Sequence, residues 1–182
     1  MANARTPRSA WIDAAQRALA NGGPDAVKVE ALAAGLGVSK GGFYWHFKNR
    51  QALIDEMLDT WEESGTDEVI SRVEAEPGDP RDKIRLLFRM APSASQFFRT
   101  ELAIRDWSRR DKGIARRLQK VDGRRTEFLR TLFGEFCADT DEVEARTMLA
   151  YSLMVGSYFV NGQSPGRSRA GAVELGVDWL LR

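Results

Sequence analysis

The amino-acid sequence predicts an all-α protein of about nine helices. Apolar residues recur at a spacing of three or four through nearly the whole chain, as they do on the buried side of amphipathic helices. No segment shows the alternating pattern of a β-strand, and no internal repeat is present. Breaks rich in glycine and proline at 21–24 and 77–80 divide the chain into helical segments.

Two short helices are predicted at the N-terminus. The first covers about 8–20 and stops at the break at 21–24, which no helix can easily cross. The second covers about 29–36, with Leu32 and Ala33 facing inward. Because Ala33 is small, the element that follows can cross this helix closely.

The stretch 36–50 has the pattern of the turn and second helix of a helix-turn-helix, followed by the start of the next helix. Gly37 suits the left-handed residue that ends a helix. Ser39 is expected to be an N-cap whose hydroxyl accepts a hydrogen bond from a backbone amide. Phe43 and Phe47 lie four residues apart and are expected to be buried together.

The side chains left on the outer face of this segment are unusual for a solvated surface. They combine a cation, hydroxyl and imidazole donors, an indole and two glycines, namely Lys40, Gly41, Gly42, Tyr44, Trp45 and His46. Such a face suits a helix that lies against phosphates and base edges. The alternative is an ordinary core helix, because aromatic residues on a short helix are more often core than interface.

A long helix is expected to begin after Lys48, with Asn49 as its N-cap. It would continue to about residue 73, with a weak interruption at Gly65, and end at the break at 77–80. The remaining helices are predicted at about 81–90, 94–109, 113–136, 141–160 and 168–181.

Composition indicates an ordinary globular protein. Of 182 residues, 43% are hydrophobic and 29% are charged. No apolar run reaches the ~18 residues of a membrane span, no secretory leader is recognisable, and Cys137 is the single cysteine, so a cytoplasmic protein without disulfides is expected. The net charge is +4 over the first 50 residues and −3 over the rest, so the basic end coincides with the helix-turn-helix.

An enzymatic function is not expected. The single histidine, His46, has no catalytic motif around it, and one histidine with one cysteine cannot form a zinc site. The segment 39–42 lacks the spacing of a phosphate-binding loop. We therefore expect no catalytic residue, no metal and no cofactor, and we interpret Cys137 as a structural thiol.

Together, the helix-turn-helix, the long connecting helix and the helical remainder resemble the TetR family of bacterial transcriptional repressors. The matching residues are Leu36-Gly37-Val38, Tyr44-Trp45-His46, Lys48-Asn49-Arg50 and Ala52-Leu53. The resemblance, which covers about 9–62, implies a helix-turn-helix DNA-binding domain at 1–50 and a helical effector-binding and dimerisation domain at 51–182. It implies a homodimer on a near-palindromic operator of double-stranded DNA, released by an unknown small-molecule effector.

By the same resemblance, Tyr44 and His46 would contact phosphates, Trp45 would lie against the DNA backbone, and Arg50 would hold a phosphate. Lys40 would read a base, and a lysine can donate to guanine O6 or N7. The complete set of predicted DNA-binding residues is Lys28, Ser39, Lys40, Gly41, Gly42, Tyr44, Trp45, His46 and Arg50.

Four positions depart from the family pattern. Lys28 stands where the family usually has a hydroxyl, and its cation would favour phosphate. Glu30 stands where a base-contacting arginine is common; it could accept from cytosine N4 or cap the second helix, and we favour capping. Gly41 and Gly42 weaken their helix by roughly 1 kcal/mol each relative to alanine, so they would permit close backbone approach or let the helix order on binding.

The C-terminal part is dense in aromatic and methionine side chains, most of which should be core. A helical body of this kind can still enclose a small-molecule cavity. The candidate ligand-binding residues are Phe98, Leu102, Arg105, Trp107, Tyr151, Met154 and Tyr158.

Two further features concern packing. Arg125 falls in the apolar register of its helix, so we expect an ion pair between the helices at 94–109 and 113–136, drawn from Arg105, Asp106, Asp122 and Arg125. A structural clamp is favoured over ligand recognition.

The helices at 141–160 and 168–181 combine apolar faces with small residues such as Ala150 and Gly176. They would form a four-helix dimer interface with their symmetry mates, and packing within one chain is the alternative. A helical protein-interaction module without DNA binding is the competing hypothesis for the whole chain.

Overall fold

A computed structural model describes residues 6–90, 96–160 and 166–182, and within these ranges the chain is helical and has no β-strand. The helices are α1 (Arg8–Gly22), α2 (Val29–Gly35), α3 (Lys40–Tyr44), α4 (Arg50–Glu62), α5 (Glu68–Ala75), α6 (Pro80–Met90), α7 (Gln96–Ser108), α8 (Lys112–Gly134), α9 (Thr140–Gly156) and α10 (Arg169–Leu180). The prediction of an all-α fold is confirmed.

The predicted long fourth helix corresponds to α4 and α5 together. Between them, Glu63–Asp67 has π-helical hydrogen bonding, and the expected interruption at Gly65 lies in the middle of this segment. With these two counted as one, the described helices match the nine that the sequence predicts. α9 ends at Gly156, earlier than predicted. The gaps left between the predicted helices at 81–90 and 94–109 and between those at 141–160 and 168–181 lie largely outside the described residues.

Two compact units divide the chain. Unit 1 comprises 1–65 and 94–119, and unit 2 comprises 66–93 and 120–182. Packing therefore groups residues differently from the functional boundary predicted at residue 50, which stays a prediction.

In unit 1, α1 packs against α2, α4 and α7, and α2 packs against α3. The fully buried side chains include Trp11, Leu19, Phe43, Met57 and Trp61. Helices α2 and α3 have seven and five residues and are too short to be stable by themselves. They are therefore held in place by packing on the core that these buried side chains form.

In unit 2, α5 packs against α6, and α9 packs against α10. The core of this unit is a continuous apolar cluster of Val73, Ile84, Leu87, Leu129, Leu132, Phe133, Val143, Ala150, Val177 and Leu181. Cys137 is a free thiol, half-buried against this cluster. Among the helices of the described residues, none is both long and apolar enough to cross a lipid bilayer.

Candidate nucleic-acid interface

The turn between α2 and α3 is built by hydrogen bonds that close the end of α2. Gly37 has φ 68°, as predicted for the residue that ends the helix, and its amide donates to the carbonyl of Ala34 at 3.1 Å. The amide of Val38 donates to the carbonyl of Ala33 at 3.0 Å. This pair of bonds is the Schellman motif, which reverses the chain sharply and starts α3 directly across α2.

Two phenylalanines anchor α3 from below. Phe43 and Phe47 are buried as predicted, with ring centroids 5.3 Å apart in a stacked arrangement. The ring of Trp11 from α1 meets Phe43 edge-on at 5.4 Å. Because these rings fix one side of the segment in the core, the opposite side must face outward.

Arg8 holds the segment from α1, a contact that sequence analysis missed. Its guanidinium lies 4.3 Å from the centre of the Phe47 ring and donates from Nε to Glu56 Oε1 at 2.6 Å. It also donates to Glu56 Oε2 and to the backbone carbonyl of His46. The hydrogen bond from Arg8 to the Glu56 carboxylate raises the pKa of Arg8 above its usual value. One side chain thus ties α1 and α4 to the residues that follow α3.

Tyr44 and Trp45 form the most exposed aromatic surface of unit 1. Tyr44 is 56% exposed and Trp45 is 73% exposed, although they are the two residues after the buried Phe43. Large apolar rings are rarely left in water without a reason, and such exposure is typical of a binding surface. The alternative of a core helix is therefore excluded for these two side chains.

Lys40 and Glu30 form an ion pair that sequence analysis did not predict. The pair joins the first residue of α3 to the first turn of α2, and half or more of each side chain is exposed. The pKa of Glu30 is lowered, first by the hydrogen bond from Lys40 and then by one from its own backbone amide. The pKa of Lys40 is raised, first by its hydrogen bond to Glu30. Both groups are therefore charged at neutral pH.

His46 and Arg50 have partners within the protein. His46 is half-buried, and its Nε2 lies 2.9 Å from the carbonyl oxygen of Thr6, so Nε2 carries the proton in this contact. Arg50 donates from Nε to the carbonyl of Val27 at 2.6 Å and also donates to the carbonyl of Pro24. These bonds fasten the start of α4 to the segment before α2. The phosphate contacts predicted for both residues stay predictions.

The expected capping by Ser39 is wrong. Ser39 occupies the N-cap position of α3 with extended backbone, but its hydroxyl accepts no capping hydrogen bond. Asn49, by contrast, caps α4 as predicted, since its side-chain oxygen accepts from the amide of Ala52 at 2.9 Å. Ser39 stays exposed at the start of α3, where its hydroxyl remains available to a ligand.

Gly41 and Gly42 are not required by the protein's own packing. Neither has a positive φ. A Cβ added at Gly42 would meet no atom within 4 Å, and one added at Gly41 would meet only the Ser39 hydroxyl at 3.6 Å. The absence of side chains here therefore suits a partner that approaches the backbone, the first of the two roles considered above.

Two exposed lysines flank the surface. Lys28 is the N-cap residue of α2, and Lys48 lies between the buried Phe47 and the cap Asn49. Lys48 was not among the predicted contacts, although its position beside Asn49 and Arg50 is a signal that could have found it. We define the recognition surface as Lys28, Glu30, Ser39, Lys40, Gly41, Gly42, Tyr44, Trp45, His46, Lys48 and Arg50.

The predicted ligand residues are divided between the two units. A cavity of about 600 Å³ in unit 2 is lined by Met154 and Tyr158, with Phe88 of α6 and Val173 of α10 on its apolar side and several charged side chains. Phe98, Leu102, Arg105 and Trp107 lie on α7 in unit 1 and do not line this cavity.

Tyr151 does not line this cavity either, and its role as a ligand residue stays a prediction. Its hydroxyl donates to Asp122 Oδ1 at 2.6 Å, a bond from α9 to α8 within unit 2. In the same unit, Arg125 donates from Nε to the Thr66 hydroxyl at 3.1 Å. Arg105 pairs with Glu101 at 2.7 Å in unit 1, and Asp106 pairs with Arg110. The ion pair predicted between the two helices stays a prediction.

Within the described parts of the chain, no three histidine, cysteine, aspartate or glutamate side chains are grouped as a metal site would need. What the fold and the recognition surface define is a helix-turn-helix DNA-binding regulator with a separate helical unit.

Comparison with known proteins makes this assignment specific. Residues 12–57 match the family model described as bacterial regulatory proteins, tetR family. The chain is 30% identical over 178 residues to the tetracycline repressor protein class C of Escherichia coli, a match that covers 95% of this chain and 72% of that protein. The protein therefore belongs to the TetR family and is a DNA-binding transcriptional regulator.

Solved structures show the same fold. A TetR-family regulator from Streptomyces coelicolor superposes with a TM-score of 0.78 at 16% identity, covering 96% of this chain and 93% of that one. A transcriptional regulator from Rhodococcus sp. Rha1 gives 0.72 at 18% identity, covering 97% and 96%. The fatty acid degradation regulator FadR from Bacillus halodurans gives 0.70 at 18% identity, covering 97% and 95%.

Proposed function

We propose that the protein is a homodimeric repressor that leaves a near-palindromic operator when a small molecule binds its helical body. One observation carries the DNA-binding part of this proposal: Tyr44 and Trp45 are exposed directly above the buried pair Phe43 and Phe47. The buried rings fix the segment, and the exposed ones face a partner. The recognition surface around them is rich in donors, as phosphate binding requires.

Some of these side chains position the protein on the DNA backbone, and others read the base sequence. Tyr44 and His46 contact phosphates, Trp45 lies against the backbone, and Lys28 and Arg50 add charge at the edges. Lys40 reads a base edge in the major groove. Gly41 and Gly42 let the α3 backbone come close to the duplex, since they add no side chain on that side.

Unit 2 offers a surface for the second copy of the chain. Met148 and Leu149 of α9 and Leu175 and Trp179 of α10 are 41% to 69% exposed although all four are large and apolar. Two such helices from each protomer would bury these side chains in a four-helix interface. A dimer places two copies of α3 in successive major grooves about 34 Å apart, as a near-palindromic operator requires.

Two of the small residues on α9 and α10 contribute to packing within one chain. Ala150 is fully buried in the core of unit 2. A Cβ at Gly176 would lie 3.1 Å from Cδ2 of Leu153, so glycine permits the close approach of α10 to α9. The large exposed side chains, not these small ones, carry the proposed dimer contact.

The effector site that we propose is the cavity of unit 2 with Met154 and Tyr158 in its wall. Its volume of about 600 Å³ is in the range of small-molecule sites. An effector that binds more tightly to the conformation with low DNA affinity shifts the protein toward that conformation. The affinity for the operator then falls by at most the ratio of the effector's affinities for the two conformations.

Fluorescence anisotropy with a labelled duplex tests the DNA-binding part. A duplex pool with a randomised centre is selected with the purified dimer, and the affinity of the selected duplex is measured from 50 to 300 mM salt. We expect the affinity to fall steeply with salt, because bound lysines and arginines release counterions from the phosphates. Affinity independent of salt, or no enrichment of any sequence, would favour the protein-interaction alternative.

Tyr44→Phe is the matched variant for this experiment, since it removes one hydroxyl and no charge. Loss of this phosphate contact should weaken binding to every duplex several-fold, which corresponds to the loss of one hydrogen bond. Thr131→Val in unit 2 likewise removes one hydroxyl and no charge, from an exposed position on α8, and should leave the affinity unchanged.

A further inference from the structure

The ion pair between Lys40 and Glu30 stands in the middle of the recognition surface. Both helices that carry it, α2 and α3, are tied at their other ends by the Schellman turn and by the Phe43 anchor. The side chains are 50% and 66% exposed, so water reaches both charged groups. An exposed ion pair of this kind contributes little to stability, so stability alone does not explain it.

A lysine and a glutamate held side by side can recognise an acceptor and a donor that lie next to each other on a base-pair edge in the major groove. Lysine only donates hydrogen bonds, and glutamate only accepts them. A G·C base pair presents O6 and N7 of guanine as acceptors and N4 of cytosine as a donor on the same edge. An A·T pair also presents two acceptors and one donor on this edge, but the donor at adenine N6 lies between the acceptors N7 and thymine O4, so the ammonium does not meet two adjacent acceptors there.

Given the proposed DNA-binding function, on which this inference rests, we infer that Lys40 and Glu30 act together to select one G·C base pair in each operator half-site. Lys40 donates to O6 and N7 of the guanine. Glu30 accepts from N4 of the cytosine paired with it while keeping its bond to Lys40. The flanking Gly41 and Gly42 add no side chains that would compete for these edges.

The ion pair also explains how an acidic side chain can lie on a DNA-binding surface. An isolated carboxylate near phosphates would be repelled, but the bound ammonium of Lys40 compensates its charge. The two groups hold each other in place before DNA arrives, so less side-chain freedom is lost on binding.

The test measures base preference with the full-length protein. The duplex selected from the randomised pool is altered at one position at a time, in both half-sites, from G·C to A·T and to the inverted C·G. We expect one position in each half-site at which the wild-type protein loses roughly 10- to 100-fold in affinity on substitution. Glu30→Ala and Lys40→Ala should each reduce that penalty to a few-fold, at the same position.

Two further variants separate recognition from structure and charge. Lys48→Ala removes one exposed positive charge from the same surface and should weaken binding to all duplexes equally, with its base preference intact. The exchange variant Glu30→Lys with Lys40→Glu keeps the net charge and the ion pair, and it should prefer the inverted C·G pair at that position. Thermal unfolding of every variant verifies that each is folded before binding is compared.

The double variant Glu30→Ala with Lys40→Ala completes the cycle. If the two side chains act as one unit, it loses no more discrimination than either single variant. A wild-type protein that binds a selected duplex but shows no G·C position dependent on both residues would overturn the inference. A protein that enriches no duplex from the pool would instead overturn the proposed function.

Discussion

Trp61 donates from its indole nitrogen to Oε2 of Glu101 at 2.9 Å, a hydrogen bond from α4 to α7 within unit 1. The other oxygen of the same carboxylate accepts from Arg105 at 2.7 Å. Glu101 is only 2% exposed, and a buried carboxylate is stable only when it is paired and hydrogen-bonded. The carboxylate therefore fixes α7 against the end of α4, the helix whose first residue, Arg50, belongs to the recognition surface.

The first prediction concerns this buried carboxylate. Glu101→Ala should lower the free energy of unfolding by about 3 kcal/mol, because it leaves the largely buried Arg105 without its partner in α7. Trp61→Phe should cost about 1 kcal/mol, since it removes one hydrogen bond and keeps most of the apolar volume. Urea denaturation followed by circular dichroism measures both.

Glu135→Ala is the control for that experiment. Glu135 is exposed just after α8, so the same substitution there should change the free energy of unfolding by less than about 0.5 kcal/mol. Equal losses for Glu101→Ala and Glu135→Ala would show that the carboxylate of Glu101 is not a structural partner.

The second prediction concerns Arg8 as a positioning residue. Arg8→Met keeps an apolar side chain over Phe47 but removes the bonds to Glu56 and to the carbonyl of His46. The residues that follow α3 are then held less firmly, and affinity for every duplex should fall about tenfold, equivalent to about 1.4 kcal/mol. Anisotropy titrations with the selected duplex and with a scrambled one measure the change.

Arg17→Met provides the matched control. Arg17 lies on the same helix, is exposed, and loses the same charge, so it should weaken DNA binding much less. If the two variants lose affinity equally, the effect of Arg8 is long-range charge and not positioning.

The contacts that the sequence predicts join residues close together in the chain, whereas the contacts that it misses join residues far apart. The left-handed Gly37, the cap at Asn49 and the buried pair Phe43 and Phe47 all follow from rules that act within one or two helical turns, and all three were predicted. Periodicity holds no information about which side chain from a distant helix will lie nearby.

The missed contacts confirm this limit. Lys40 and Glu30 are 10 residues apart, Trp61 and Glu101 are 40 apart, and Arg8 and Glu56 are 48 apart. Each pair meets only because of how the helices pack. For the same reason the sequence did not predict the hydrogen bond from the Tyr151 hydroxyl to Asp122, 29 residues away. The faces of single helices were predictable, but the pairing of their polar side chains was not.

The third prediction separates the two roles considered for the glycines of α3. Gly42→Ala should raise the stability of unit 1 by up to about 1 kcal/mol, because alanine favours a helix and a Cβ here meets no atom within 4 Å. If the backbone approaches the duplex closely at this point, the same variant should bind DNA more weakly despite its greater stability. Thermal unfolding and anisotropy on the same sample measure both effects.

Gly123→Ala serves as the reference for Gly42→Ala. Gly123 is exposed in the interior of α8, and a Cβ there also meets nothing within 4 Å. It should give a similar gain in stability with no change in DNA affinity. Tighter DNA binding by Gly42→Ala would contradict close approach and would support a helix that orders on binding.

The last prediction concerns the exposed apolar side chains of α9 and α10. Trp179 is 69% exposed, so Trp179→Glu removes apolar surface from the proposed interface without disturbing the core of unit 2. The charge would have to be buried unpaired in a dimer, and the protein should become monomeric at micromolar concentration. Sedimentation equilibrium measures the mass directly.

The monomer should also bind the operator far more weakly, because the second half-site no longer benefits from linkage to the first. Trp45→Glu, with a comparably exposed indole on the recognition surface, should remain dimeric and lose DNA binding. A Trp179→Glu protein that keeps the dimer mass would place the contact between protomers elsewhere.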